Sequence, residues 1–118
     1  MEFKQLKENI LAELEELQAA DIKEIDVYGK TSVTDLLVIC SGRSTRHVKA
    51  IATKVIEKLK HLGEPPISAS GLDTGEWALL DCGDIIIHVM TNEIRAFYNI
   101  EGLWLDDSDK QHSEPKAQ

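Results

Sequence analysis

Cysteine is nearly absent. The 118 residues include two, Cys40 and Cys82, and neither belongs to a CxxC pair. That excludes a disulfide-built fold and the common cysteine-based metal centres, and it reads as a reduced, cytoplasmic protein. No apolar run approaches the roughly 18–20 residues that cross a bilayer, so no membrane association is expected. The opening residues, MEFKQLKENI, lack the basic stretch and apolar run of a secretory signal, so none is expected. Positive charge is in short supply: 13 Lys and Arg stand against 21 Asp and Glu, a net charge of −8. Phosphate binding is driven by Lys and Arg, so this balance argues against direct nucleic-acid binding and favours a basic protein partner. Aromatic residues make up 5% of the chain, which makes Trp77 and Trp104 informative.

What is present suits one globular domain. Hydrophobic residues are 42% and charged residues 29%, an ordinary balance, and the length allows one core rather than two. We expect that domain over residues 1–105. The acidic stretch 106–118, with no apolar residue beyond Ala117, is expected to be disordered.

The hydrophobic pattern gives the elements. Phe3, Leu6, Ile10, Leu14 and Leu17 recur at helical spacing across residues 1–20. Ile22, Ile25, Val27 and Tyr28 suggest a short strand closed by Gly29. DLLVICSG is almost continuously apolar and reads as a strand buried on both faces. Ser44 can cap a following helix with a stripe of Val48, Ile51, Ala52, Val55, Ile56, Leu59 and Leu62, ended by Gly63 and Pro65. PISAS is a further short strand. EWALLDCGDIIIHVM reads as two strands joined by a tight hairpin at DCGD, with Gly83 at positive φ. TNEIRAFYNIEGLW reads as one final helix capped by Thr91 or Asn92. The order α-β-β-α-β-β-β-α implies an α/β fold with a mixed sheet and flanking helices.

The carboxylates, histidine and cysteine of DCGDIIIHVM invite a catalytic or metal reading. Geometry opposes it. Asp84, Ile86, His88 and Met90 share one face of a strand, which places Asp84 and His88 about 13 Å apart, too far for one zinc ion. Asp81 and Asp84 flank the turn, where aspartates satisfy backbone N–H groups. SGRSTRH, with Arg43, Arg46 and His47, could hold an anion at a helix start, but Ser44 as a simple cap is the favoured reading, and the stretch lacks the spacing of a phosphate-binding P-loop. Cys40 fits core packing. Trp77 begins a strand after a Gly/Asp/Thr loop, a setting that favours an interface, whereas Trp104 reads as a lid on the core.

Three segments in one order, TDLLVICSGRSTRHVKAIATKV, GEWALLDCGDIIIHVM and RAFYNIEGLW, resemble the ribosomal silencing factor (Iojap-related) family, over about residues 4–105. The resemblance implies a nucleotidyltransferase-like α/β fold, a homodimer and no enzymatic activity or cofactor. It implies binding to the large ribosomal subunit through that subunit's basic fourteenth protein. The bound protein would hinder joining of the small subunit and repress translation under nutrient limitation; in organellar relatives the theme is large-subunit assembly. Carried over residue by residue, it implies a partner-binding set of Trp77, His88, Met90, Arg95 and Tyr98. A nucleotidyltransferase also needs a Gly-Ser pair before a helix and two carboxylates on one strand face. Here Arg43 separates Gly42 from Ser44, and two residues separate Asp81 from Asp84. No catalytic or metal-binding residue is therefore assigned.

Overall fold

The computed structural model describes residues 1–104; the acidic stretch 106–118 lies outside the described residues. Helix α1 (Phe3–Glu16) turns Leu6, Ile10 and Leu14 inward, while Phe3 remains 39% exposed. Its first turn is closed by Glu2 N–H donating to Gln5 Oε1 at 3.4 Å. The chain then forms β1 (Ala20–Asp26), β2 (Leu36–Gly42), α2 (Thr45–His61), β3 (Ser68–Ser70), β4 (Trp77–Asp81) and β5 (Ile85–Thr91).

The five strands form one mixed sheet in the order β1-β2-β5-β4-β3. β2 and β5 run parallel at its centre, and the remaining pairs are antiparallel. Both central strands are buried at every position, which is why their sequences are apolar runs and do not alternate. The exposed edge strand β1 carries a register shift between Ala20 and Lys23, where Asp21 has φ 49°. Such irregularity discourages edge-to-edge pairing. The β4–β5 hairpin turns as its residues require: Gly83 has φ 87°, and its N–H donates to Asp81 Oδ1 at 2.9 Å.

Side chains divide between two faces of the sheet. On the first, α1 and α2 pack over Leu36, Val38, Cys40, Ile85, Ile87 and Val89. On the second, a smaller buried cluster of Val27, Leu37, Ile39, Ile86 and Met90 is covered by side chains that are themselves only partly buried, Trp77, Ile94, Ile100 and Trp104 among others.

The final helix differs from the sequence expectation. It is two short helices, α3 (Asn92–Tyr98) and α4 (Ile100–Trp104), so the order becomes α-β-β-α-β-β-β-α-α. Asn99 breaks it by adopting the left-handed conformation at φ 46°, which asparagine tolerates better than most residues. Apolar spacing carries no warning of this, because Ile94, Ile100 and Trp104 still reach one cluster. Thr91 is the cap of α3, its Oγ accepting from Ile94 N–H at 3.3 Å.

Candidate partner-binding face

Trp77 opens β4 opposite Met90, and Leu79 lies opposite His88. Period-2 alternation puts Trp77, Leu79, His88 and Met90 on the second face of the sheet. Trp77 Nε1–H donates to His88 Nδ1 at 2.9 Å. That bond makes Nδ1 the acceptor and leaves the proton of the neutral ring on Nε2. His88 is 8% exposed, and burial lowers its pKa from 6.5 to about 4, so it is neutral at pH 7.

A ladder of aromatic rings rises from this pair. The Trp77 and Tyr98 ring centroids are 5.0 Å apart and tilted by 49°; Tyr98 and Phe97 are 4.9 Å apart, edge to face. Exposure increases outward, from half-buried Trp77 to Tyr98 at 51% and Phe97 at 78%. Phe3 and Tyr28 are exposed too, at 39% and 75%, but Tyr98 and Phe97 stack on each other and Tyr98 on Trp77, which makes this face the candidate interaction surface. Alongside, a cleft of about 260 Å³ runs past His88, lined by Leu79, Ile86, Ile100, Leu103 and Trp104.

The structure sorts the five expected contact residues. Trp77 and Tyr98 reach the surface. His88 lies beneath Trp77 and holds its ring. Met90 is wholly buried, so its place is in the core under the face and not on it. Arg95 is 9% exposed and is spent internally: Nη1 donates to Ser41 Oγ at 2.9 Å, and Nη2 donates to Glu101 Oε2 at 2.7 Å. It ties α4 to α3 and to the end of β2. Phe97 joins Trp77 and Tyr98 at the surface, with no signal in the sequence to single it out. On the helix containing Arg95 and Tyr98 it resembles an ordinary stripe residue, and only its exposure reveals it.

The other candidates have structural roles. Ser44 Oγ caps α2 by accepting from His47 N–H at 3.1 Å. His47 Nδ1 accepts from Arg43 N–H at 2.9 Å, and Nε2 donates to Leu17 O at 2.9 Å, so both ring nitrogens are occupied in joining α2 to the end of α1. Cys40 is buried, and desolvation raises its thiol pKa to about 12; burial and then the Asp81 charge raise Cys82 to about 11. Neither is an activated nucleophile. Among the described residues, no three His, Cys, Asp or Glu side chains gather as a metal site. No helix among them is long and apolar enough to cross a membrane.

Comparison with known proteins agrees over most of the chain. The family profile described as "Ribosomal silencing factor during starvation" matches residues 1–118. The chain is 43% identical over 103 residues to ribosomal silencing factor RsfS of Zymomonas mobilis, covering 86% of this chain and 77% of that one. It is 38% identical over 104 residues to RsfS of Chromobacterium violaceum, covering 88% and 85%. Over 94 residues it is 37% identical to mouse "mitochondrial assembly of ribosomal large subunit protein 1", covering 77% of this chain and 41% of the mouse protein. A crystal structure of a Chromobacterium violaceum protein superposes with a TM-score of 0.85 at 38% identity, covering 88% of this chain and 87% of that one. A Bacillus halodurans structure superposes at 0.78 with 28% identity, covering 86% and 94%. Profile, sequence and superposition coincide on the α/β core, and the chain belongs to the ribosomal silencing factor family.

Proposed function

We propose that this chain docks on the large ribosomal subunit, through that subunit's basic fourteenth protein, and stands in the way of the small subunit. Translation then falls when nutrients are short. The observation that carries this reading is the exposed Trp77–Tyr98–Phe97 ladder, steadied from below by His88. An aromatic anchor of this kind is where interfaces concentrate their energy. The net charge of −8 suits a basic protein partner. The contact residues are Trp77, Tyr98 and Phe97; His88, Met90 and Arg95 shape the face from within. The action is steric and not enzymatic, on a nucleotidyltransferase-like scaffold whose Asp81 carboxylate is engaged by the hairpin N–H of Gly83. We read the protein as cytoplasmic and homodimeric when free.

Co-sedimentation with purified large subunits tests the face. Trp77→Ala should fold and lose at least about 2 kcal/mol of binding, some thirtyfold in affinity. Undiminished co-sedimentation contradicts the assignment. The name of the mouse relative favours a second reading, a part in building the large subunit. Large-subunit precursors accumulating in well-fed cells that lack the protein would select it.

A further inference from the structure

The net charge of −8 conceals an uneven distribution. Between Ser41 and Leu62 six Lys and Arg residues meet one acid, Glu57, so this stretch carries +5 and the rest of the chain −13. An acidic total argues against nucleic acid only if the charge is spread evenly, and here it is not.

Burial of Val48, Ile51, Ala52, Val55 and Leu59 fixes the inward side of α2. At 3.6 residues per turn, Arg46 and Lys49 fall on the outward side, about 4.5 Å apart along the axis. Arg43 precedes them in the loop, and all three are exposed. Lys54 pairs with Glu57 at 3.8 Å and Lys58 with Glu13 at 3.9 Å, whereas Arg43, Arg46 and Lys49 form no ion pair among the described residues. Glu93 lines the same cleft as Arg43 and is the acid facing this group there.

The position of the group matters as much as its charge. The pairing of Gly42 with Thr91 and of Trp77 with Met90 places the head of α2 at the Trp77 end of the sheet. Gly75, two residues before Trp77, lies against α2: a Cβ there would stand 2.5 Å from Thr45 O and 2.8 Å from Lys49 Cγ. The lysine stem is thus laid along the loop that leads into the aromatic face. The basic group therefore lies at the same end of the sheet as Trp77, on the helix-covered side, with the aromatic face on the other side of that end.

We propose that Arg43, Arg46 and Lys49 form a phosphate-binding rim that contacts the RNA backbone of the large subunit at the end of the sheet that also carries Trp77. The identity of the particle rests on the proposed function. RNA is the anionic component of that particle, and two guanidinium groups beside an ammonium suit phosphate oxygens. The rim supplies affinity and orientation without reading sequence.

Fluorescence anisotropy with a labelled 16-base-pair RNA hairpin of arbitrary sequence tests this on the intact chain. Three neutralised phosphates predict that binding weakens about 20- to 40-fold between 50 and 200 mM salt. The combined Arg43→Gln, Arg46→Gln, Lys49→Gln variant should lose at least tenfold at 50 mM salt, together with most of the salt dependence. These side chains are exposed, so its melting temperature should match the parent. Lys60→Gln, at the far end of α2, should bind as the parent does. Trp77→Ala should also retain RNA binding, which separates this proposal from the docking assignment. Four results would each overturn it: no binding at 50 mM salt, an unaffected triple variant, an equal loss in Lys60→Gln, or equally good binding of polyglutamate.

Discussion

The indole N–H of Trp77 is held by Nδ1 of His88, one strand away, at 2.9 Å, and this one bond fixes both the tautomer of the histidine and the pose of the tryptophan. It links buried core to exposed face: Met90 and Ile86 pack in the cluster below, and Tyr98 stacks above. Burial of His88 also makes stability sensitive to pH. In the unfolded chain His88 takes up a proton near pH 6.5, but in the folded chain only near about 4. Between those values the unfolded state binds more protons, so stability falls as pH falls. The loss reaches about 3 kcal/mol at most. Urea unfolding at pH 7, 5.5 and 4.5 should show it, and His88→Gln should be flatter across that window. Equal slopes would contradict the lowered pKa of His88.

Gly71 sets where β4 begins. It has φ 81°, and a Cβ there would lie 1.9 Å from the carbonyl oxygen of Trp77. Gly71→Ala must displace that backbone, at a cost of at least about 3 kcal/mol. Gly83 has a similar φ of 87°, but its Cβ would meet only Ile67 Cδ1, at 3.5 Å. Gly83→Ala should cost about 1–2 kcal/mol, the backbone penalty alone. Denaturant midpoints of the two variants provide the comparison, and similar losses would contradict it.

Arg95 and Glu101 should behave as an internal strut and not as contact residues. Their pair spans the break at Asn99 and is mostly shielded from water, with side-chain exposures of 10% and 21%. A double-mutant cycle with Arg95→Met and Glu101→Leu should give a coupling of about 1–2 kcal/mol in stability. Arg95→Met alone should be the worst of the set, since it leaves Glu101 and Ser41 without their partner. Additive losses would show that the strut carries no coupling.

Much of this architecture was legible in the residues. The stripe from Val48 to Leu59, the twice-buried run Leu36–Gly42 and the Asp81–Gly83 turn each follow from local rules, because each element satisfies its own periodicity or turn chemistry. The setting of Trp77 at a strand start already points to an interface and the family resemblance adds Tyr98, but depth was beyond either. Met90 on β5 and Arg95 on α3 occupy the right segments yet point into the protein, and a family motif gives the position of a residue without its depth. The break at Asn99 was hidden for another reason: a single left-handed residue leaves the apolar spacing nearly intact. The basic rim was legible in part: SGRSTRH presents Arg43 and Arg46 as possible anion ligands, but net charge discards position and gives no sign that Lys49 joins them.

The central claim is that an aromatic face on this scaffold blocks a meeting of two particles. Light scattering during reassociation of purified large and small ribosomal subunits measures it directly. The intact protein should suppress the rise in scattering in proportion to its concentration, and Trp77→Ala should restore most of it. Reassociation that proceeds at the full rate and extent in a large molar excess of the intact protein would contradict the claim.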